Sequence, residues 1–385
     1  MWRWSSPCWR RGPRRTRKSR GCSPTPLYGA CYTGHVDVVR ALLAAGANWG
    51  GEGFTSPLYT ACSHGHVDVA RALLAAAPGA EVDLGLSALS TACDYGEVQA
   101  VRALLSAGVT LACMLDTQDK APLCRACSSG HVEVVRALLP AGAPVDLQAM
   151  GWAMGGSTPM HWAAMNGHLA VVCALLSAGA KADLQCSGGN TPLRYACVNG
   201  HVEVARALLS AGTKVDVWDN LQRSHPLHVA SQAGRLEMVR FLLSAGCKPD
   251  VRNQWRAAPL LYAAWAGHLD VVHALLSAAA KVDLQDKDGT SPLWAASDEG
   301  HVKVVRALLS AGAKVDLQDH QGASPLYTAC KHGKLPVIRA LLSAGGRADL
   351  RASDGRTPLD VLPRALRPEV ERLLAQQAKG KHLYC

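Results

Sequence analysis

The sequence predicts an all-α solenoid made of about ten full copies of a helix-pair unit and a shortened eleventh copy. Three observations predict this fold. The dipeptide Pro-Leu recurs with similar neighbours at intervals of 31 to 37 residues. Each interval contains two helical apolar patterns. Apolar residues make up 49% of the 385-residue chain but aromatic residues only 5%, so the apolar mass is mostly Ala, Leu and Val, which suits closely packed helices. One helix pair cannot bury its own apolar faces, and neighbouring copies must therefore stack.

The chain divides into a basic tail at 1–21, a repeat domain at 22–377 and a short C-terminal tail at 378–385. The basic tail has eight Arg and Lys residues and no acid, while the rest of the chain is nearly neutral, with 32 basic and 30 acidic residues. Three interpretations of the basic tail stay open: a disordered non-functional extension, which we favour, a nuclear localisation or nucleic-acid-binding segment, and a mitochondrial presequence.

Targeting signals and cysteine use favour an intracellular protein. The first 20 residues lack the apolar h-region of a secretory signal. No apolar run approaches the roughly 20 residues that span a bilayer. Fourteen cysteines in a long chain without a secretory signal indicate a reducing compartment rather than a disulfide framework. We therefore expect the cytoplasm, the nucleus or both.

The units are numbered by the residue that is expected to begin each first helix. In unit order these residues are Pro26, Pro57, Ala88, Pro122, Pro159, Pro192, Pro226, Pro259, Pro292, Pro325 and Pro358.

Each unit contains start and stop signals for two short helices. In unit 10, Ser324 can cap the first helix, Pro325 suits its first position and Gly333 ends it. In unit 9, the second helix over 301–309 has apolar residues three and four positions apart, as at Val302, Val305, Leu308 and Leu309, and Gly312 ends it. An Asp-Gly or Gln-Gly pair then predicts a turn before the next unit.

The repeated residues resemble the ankyrin-repeat pattern. Unit 6 shows the match through Thr191-Pro192-Leu193, Gly200-His201, Val204, Leu208-Leu209 and Ala211-Gly212. The resemblance covers about residues 22 to 375. It implies a curved stack of helix pairs with projecting β-hairpin fingers between units, and binding of partner proteins in the concave groove formed by first helices and fingers.

Histidine follows the glycine after the first helix in seven units, at positions 35, 66, 131, 168, 201, 268 and 301. These side chains are spread one per unit, whereas a metal or catalytic site needs converging residues. The resemblance implies structural hydrogen bonds between units for them.

Cysteine recurs at one position of the first helix, at 31, 62, 93, 127, 197 and 330, where other units have Ala or Ser. Small size is the shared property, which predicts packing. The pair Cys124 and Cys127 has no second pair at zinc spacing. We therefore expect no metal and no cofactor.

Enzyme motifs are absent, because the sequence contains no P-loop, H-E-x-x-H, G-x-S-x-G or dinucleotide-binding glycine pattern. Opposite charges at i,i+3 on second helices predict a solvated outer face, with about 0.2–0.5 kcal/mol for each pair. These pairs are Asp37/Arg40, Asp68/Arg71, Glu133/Arg136, Glu203/Arg206 and Glu237/Arg240. We expect no enzyme.

Specificity is expected where the units differ from one another. In the resembled family these positions are the finger tips and the two residues before each Gly-His. Here those pairs include Tyr32-Thr33, Ser63-His64, Asp94-Tyr95, Met165-Asn166, Trp265-Ala266, Asp298-Glu299 and Lys331-His332. Tryptophan and arginine often anchor binding hot spots, and six of the ten tryptophans lie between 152 and 294. The predicted partner-binding patch is Trp152, Met165, Trp255, Arg256 and Trp265. The alternative is that some of these rings only cover neighbouring fingers.

Four segments depart from the common pattern. Ala88 replaces the proline of unit 3, and the preceding residues 83–87 are too short for a normal finger, which predicts local irregularity. Arg256 stands where other fingers have glycine, which leaves that turn's conformation open. Pro336 is expected to be tolerated in a first turn. Residues 149–157 form an extended Gly-rich finger.

The sequence favours a function as a non-enzymatic scaffold or adaptor that binds other proteins through the groove. A weaker resemblance to ankyrin-repeat and SOCS-box proteins rests on the S-P-L-Y-x-A-C variant and the terminal half-unit at 357–374. It implies an alternative function as a substrate adaptor of a cullin ubiquitin ligase, although no SOCS box is seen. Nucleic-acid binding is expected only through the basic tail, and the oligomeric state stays open.

Overall fold

The computed structural model describes residues 25–47, 56–76, 82–109, 111, 121–148, 155–214 and 224–381. These residues form 21 α helices, arranged as a row of first helices and a row of second helices. The first helices are α1 (Pro26–Thr33), α3 (Pro57–Ser63), α5 (Val82–Tyr95), α7 (Pro122–Ser129), α9 (Pro159–Asn166), α11 (Pro192–Asn199), α13 (Pro226–Gln232), α15 (Pro259–Ala266), α17 (Pro292–Glu299) and α19 (Pro325–Lys331).

The second helices are α2 (Val36–Ala44), α4 (Val67–Ala76), α6 (Val98–Ser106), α8 (Val132–Leu138), α10 (Leu169–Ser177), α12 (Val202–Ser210), α14 (Leu236–Ser244), α16 (Leu269–Ser277), α18 (Val302–Ser310), α20 (Leu335–Ser343) and α21 (Arg367–Lys381). Each helix packs against its partner in the unit and against the helix of the same row in the next unit. In unit 11, turns and a short 3-10 helix at Arg364–Leu366 replace the first helix. The all-α solenoid with a shortened last unit is confirmed.

Local chemistry sets the helix ends as predicted. Proline occupies the first turn of nine first helices, and the hydroxyl of Ser324 accepts a hydrogen bond from the Tyr327 amide at 3.2 Å. Such a cap satisfies an amide that lacks a partner within the helix. Glycines in the left-handed conformation end first helices, as at Gly167 with a φ of 78°. Pro336 lies in the first turn of α20, where it is tolerated.

Unit 3 differs from the others at its missing proline. Helix α5 begins at Val82, six residues before Ala88, and is 14 residues long. Proline disfavours helical backbone in the residue before it, so its loss allows the helix to extend toward its N-terminus. The predicted irregularity of this unit is therefore a longer helix that takes the place of most of a connecting loop.

The loops between units are turns, and the predicted β-hairpin fingers are not confirmed. The described part of the chain contains no β-strand. In the loop before unit 9, the Asp286 amide bonds to the Thr290 carbonyl at 3.1 Å and the Gly289 amide to the Asp286 carbonyl at 3.3 Å. The Lys287 amide bonds to the Trp255 carbonyl of the preceding loop at 2.8 Å. These few backbone hydrogen bonds hold neighbouring loops side by side but do not form the ladder of a β-hairpin.

One continuous apolar core runs through all units. In unit 9 it contains Leu293, Ala296, Val304, Val305 and Leu308, each almost inaccessible to solvent. Burying a Val or Leu side chain contributes about 1.5–3 kcal/mol, and most of these contacts join neighbouring units. Among the described helices, none is long and apolar enough to cross a membrane.

Candidate functional site

The repeated histidines join neighbouring units. In six of them, Nε2 lies 3.0 to 3.1 Å from a carbonyl oxygen near the end of the first helix of the preceding unit. The histidine N–H donates this hydrogen bond, because a carbonyl oxygen can only accept. His201, for example, donates to the carbonyl of Met165 at 3.1 Å. In unit 7, where Arg235 replaces histidine, its Nε donates to the Val198 carbonyl at 2.9 Å. The predicted structural function of these histidines is confirmed.

Two further histidines, at the third position of their first helices, are buried structural groups. His228 accepts the His225 amide at Nδ1, 3.2 Å away, and donates from Nε2 to the Ala257 carbonyl at 3.0 Å. His161 makes the equivalent bonds to Thr158 and to the Asn190 carbonyl. This arrangement needs a neutral ring, since one nitrogen accepts and the other donates. Burial lowers the pKa of His228 to about 4 and also lowers the pKa of His161.

The repeated cysteines are packing residues, as predicted. Cys31, Cys62, Cys93, Cys127, Cys197 and Cys330 are all buried in the core. Burial raises the pKa of the Cys62 and Cys124 thiols to about 12, so both stay protonated and poorly nucleophilic at neutral pH. No group of three or more metal-binding side chains occurs among the residues that the structure describes.

The charged pairs on the second helices form only in part. Glu133–Arg136, Glu203–Arg206 and Glu237–Arg240 are exposed ion pairs with N–O distances of 2.8 to 3.3 Å. The two aspartate pairs, Asp37/Arg40 and Asp68/Arg71, form no close ion pair among the described residues. Aspartate is one methylene shorter than glutamate and reaches less far along the helix surface. The side chains of the glutamate pairs are exposed, so this face of the second helices is solvated. Exposed ion pairs of this kind contribute little to stability.

The structure separates the four described residues of the predicted partner-binding patch. Trp152 lies outside the described residues. Met165 lies on α9 in unit 5, half-buried and packed against the core. Trp255 and Arg256 lie in the loop before unit 8, and Trp265 lies on α15. Because α11 and α13 stand between α9 and α15, Met165 does not share one patch with the unit 8 residues.

Trp265 is the most exposed of the predicted residues that the structure describes, apart from the charged Arg256. Its side chain is 47% exposed, and its indole N–H donates to Glu299 Oε1 of the next unit at 2.9 Å. Its carbonyl accepts the bond from His301, so the backbone serves the stack while the ring stays at the surface. Trp255 is half-buried on the neighbouring loop. Together they place two indole rings on the face made by first helices and loops.

Arg256 adopts the left-handed turn that glycine adopts in other units. Its φ is 59°, compared with 80° for Gly289 and 71° for Gly322. Asn253 holds this turn, since its Oδ1 accepts the amides of Trp255 and Ala257, each at 3.0 Å. The side chain of Arg256 is exposed. A bulky residue in this conformation is strained, and it gives the loop a charge that a glycine would not supply.

Two tyrosines that the predicted patch omitted are more exposed than Trp265. Tyr32 is 53% exposed and Tyr95 is 59% exposed, both in the two positions before the glycine of their units. The ring of Tyr32 lies 4.6 Å from that of His64 in the next unit. Both tyrosines belong to the variable pairs, so the sequence contained a signal for them. The predicted patch left them out because it was chosen mainly for tryptophan and arginine. In contrast, Trp162 on α9 is buried.

Comparisons with known proteins agree with the repeat geometry. Residues 12–85, 76–149, 146–220, 227–319 and 293–382 match a family model described as ankyrin repeats in three copies. The human ASB11 ankyrin repeat domain is similar over 57% of this chain and 98% of its own length, with 28% identity and a TM-score of 0.52. The ankyrin repeat domain of Bcl-3, a member of the IκB protein family, is 28% identical over 56% of this chain and 99% of its own, with a TM-score of 0.49. The comparison with curated proteins gives no match.

Proposed function

Because this chain belongs to the ankyrin-repeat family, whose repeats are protein-interaction domains, we propose that it is a non-enzymatic scaffold or adaptor. In this proposal it binds a partner protein through the face made by first helices and loops. The observation that carries the proposal is Trp265, a large aromatic residue that is 47% exposed on this face.

The repeated residues and the variable residues have different tasks. The repeated prolines begin helices, the glycines end them, the histidines join units and the cysteines pack. The repeated histidines and cysteines, which could have suggested a metal or catalytic site, therefore have structural functions. Residues that change from unit to unit are left at the surface, and these are the ones that can distinguish partners.

Unit 8 offers the best described anchor for a partner. Trp255, Arg256 and Trp265 combine two amphipathic rings with a guanidinium on one face. Tryptophan and arginine are enriched among residues whose truncation weakens protein complexes most. A large exposed ring rimmed by polar groups such as Glu299 is typical of such a surface.

The test is capture of partners from cell extract with full-length protein that carries Trp255→Ala and Trp265→Ala. We expect the double variant to lose partners that the unchanged protein captures, while its thermal unfolding stays cooperative. Leu169→Ala is the matched control, because Leu169 is a large exposed apolar residue on a second helix. Equal capture by both variants would sink the proposal, and loss of folding in the double variant would assign the rings to structure.

The same capture experiment separates a second candidate function. Similarity to the human ASB11 ankyrin repeat domain and the S-P-L-Y-x-A-C variant support a ubiquitin-ligase substrate adaptor. Copurification of an elongin–cullin complex would favour this function, and its absence would count against it.

The basic tail at 1–21 lies outside the described residues. Its deletion should abolish salt-sensitive nucleic-acid binding if the tail has that function. Both candidates, like the scaffold, are compatible with the intracellular location that we propose.

A further inference from the structure

An open cleft lies between the first helices and loops of units 9 to 11. Its volume is about 580 Å³. Trp294 on α17 and Tyr327 on α19 contribute aromatic surface, and loop residues around Asp319 and Asp354 form the opposite side. The cleft lies on the face made by first helices and loops, on the C-terminal side of Trp265.

The cleft has an excess of negative charge. Four aspartates line it against one lysine and one arginine, which gives a formal net charge of −2. The arginine, Arg356, is already paired with Asp354 through Nε at 2.7 Å. Asp354 also accepts the hydroxyl of Tyr327 at 3.0 Å, so this ion pair is held in place at the edge of the cleft.

Two of the aspartates have an acceptor oxygen to spare. Asp298 uses Oδ1 to accept from the Thr328 hydroxyl and to pair with His332 at 2.8 Å. Asp319 uses Oδ1 to accept the amides of Gln321 and Ala323, at 2.9 and 2.8 Å. Within the described chain, Oδ2 of Asp298 and of Asp319 has no hydrogen-bond partner. Both carboxylates are thus fixed in orientation and still able to accept.

Trp294 forms an aromatic wall of the cleft. Its ring packs against Ala257, Leu261 and Ala295, which form a small apolar cluster separate from the main core. Its indole N–H is buried and has no hydrogen-bond partner among the described residues. This N–H is inaccessible to a ligand, so the half-buried ring is the part of Trp294 that lines the cleft.

We propose that this cleft binds an arginine side chain of an extended segment in a partner protein, an inference that rests on the proposed scaffold function. The guanidinium stacks on the aromatic surface and donates to the spare oxygens of Asp298 and Asp319. Guanidinium fits better than ammonium, because it is planar, stacks on rings and offers several donors in one plane.

Selection from a displayed library of random nonamer peptides on the full-length protein tests this inference. We expect selected peptides to share arginine at one position. The consensus peptide should bind the Asp298→Asn, Asp319→Asn double variant about tenfold more weakly or worse, because charge-assisted bonds are lost. Asparagine keeps the Oδ1 acceptor that each aspartate uses within the protein, so the fold is preserved. Citrulline in place of the arginine should weaken binding to the unchanged protein by a similar factor and bring no further loss with the double variant.

Asp286→Asn is the matched control. Asp286 accepts the amides of Asp288 and Thr290 in the preceding loop, as Asp319 does in its own loop, but it does not line the cleft. The consensus peptide should bind this control with unchanged affinity. Trp294→Leu, which keeps an apolar side chain on the small cluster, should also weaken binding.

Several results would overturn the inference. These are no enrichment of peptides, enrichment without arginine, or equal affinity of the consensus peptide for the unchanged protein and the Asp298→Asn, Asp319→Asn variant. Selected peptides that depend on Trp265 instead would overturn the cleft assignment and leave the scaffold function standing.

A synthetic peptide of residues 1–21 tests whether this chain's own basic tail occupies the cleft. If it binds the cleft more tightly than the consensus peptide, the occupant is this chain's own tail and not a partner.

Discussion

Two glycines in unit 5 allow the junction between units to be tested with a matched pair of substitutions. Gly167 ends the first helix and Gly179 follows the second, with φ values of 78° and 83°. A Cβ at Gly167 would lie 2.5 Å from Nδ1 of His201, whereas a Cβ at Gly179 would have no neighbour within 4 Å. Gly167→Ala and Gly179→Ala therefore share the backbone change and differ only in their contact with the histidine.

The magnitudes follow from this difference. Both variants incur the left-handed strain of alanine, about 1–2 kcal/mol, and both gain similarly from a less flexible unfolded chain. Gly167→Ala also displaces the His201 ring and breaks its bond to the Met165 carbonyl. The lost bond contributes about 0.5–1.5 kcal/mol, and the displaced ring disturbs packing between units. We expect Gly167→Ala to lower the free energy of unfolding by about 1–3 kcal/mol more than Gly179→Ala.

Urea unfolding followed by far-ultraviolet circular dichroism measures this difference, with midpoints and slopes compared for both variants. His201→Ala completes a double-mutant cycle. In that background the ring is absent, so Gly167→Ala should cost no more than Gly179→Ala. Equal losses for the two alanine variants, or an excess for Gly167→Ala that persists without His201, would refute the reasoning.

Three further predictions concern stability and reactivity. His228 has a folded pKa of about 4 against an ordinary value of 6.5, so above pH 6.5 both states are neutral, and between 6.5 and 4 only the unfolded state takes up the proton. The free energy of unfolding from urea titrations should then fall as pH falls through this window, by up to about 3 kcal/mol for this group. His228→Gln should flatten this pH dependence, and an equally steep profile in the variant would count against the prediction. Iodoacetamide should label exposed Cys173 in the native protein but Cys62 and Cys124 only after unfolding, as peptide mass spectrometry can follow, and equal labelling rates would contradict the burial. Arg256→Gly should raise the free energy of unfolding by about 0.5–1 kcal/mol in urea titrations, because relief of left-handed strain exceeds the entropy cost of glycine, while Gly289→Ala, whose Cβ would lie 2.6 Å from the His320 amide nitrogen, should lower it.

Much of the fold could be predicted from sequence, because local signals set it. Proline after a hydroxyl residue predicted where helices such as α19 begin, and the period predicted how units stack. Prediction failed where a local signal was missing. Without a proline in unit 3, nothing in the sequence indicated that α5 begins at Val82. The β-hairpin fingers are not confirmed, because the described loops make too few backbone bonds for a ladder.

The candidate site was predicted less completely, because it depends on side chains from several units. The exposure of Trp265 followed from its place among the variable residues. The separation of Met165 from unit 8 did not, since the predicted patch was assembled by residue type and not by position along the stack. The cleft could not be predicted either, as its lining extends from Trp294 to residues near 360 in three units. The spare oxygens of Asp298 and Asp319 are visible only once their hydrogen bonds are known.

Photo-crosslinking from single positions tests the central claim most directly, namely that partners bind on the face of first helices and loops. Benzoylphenylalanine can be placed at Trp265 on this face, or at Lys303, which is exposed on the second helix α18. We expect irradiation in cell extract to link a partner protein to position 265 and not to position 303. Crosslinks from 303 with none from 265 would place binding on the other face and contradict the account.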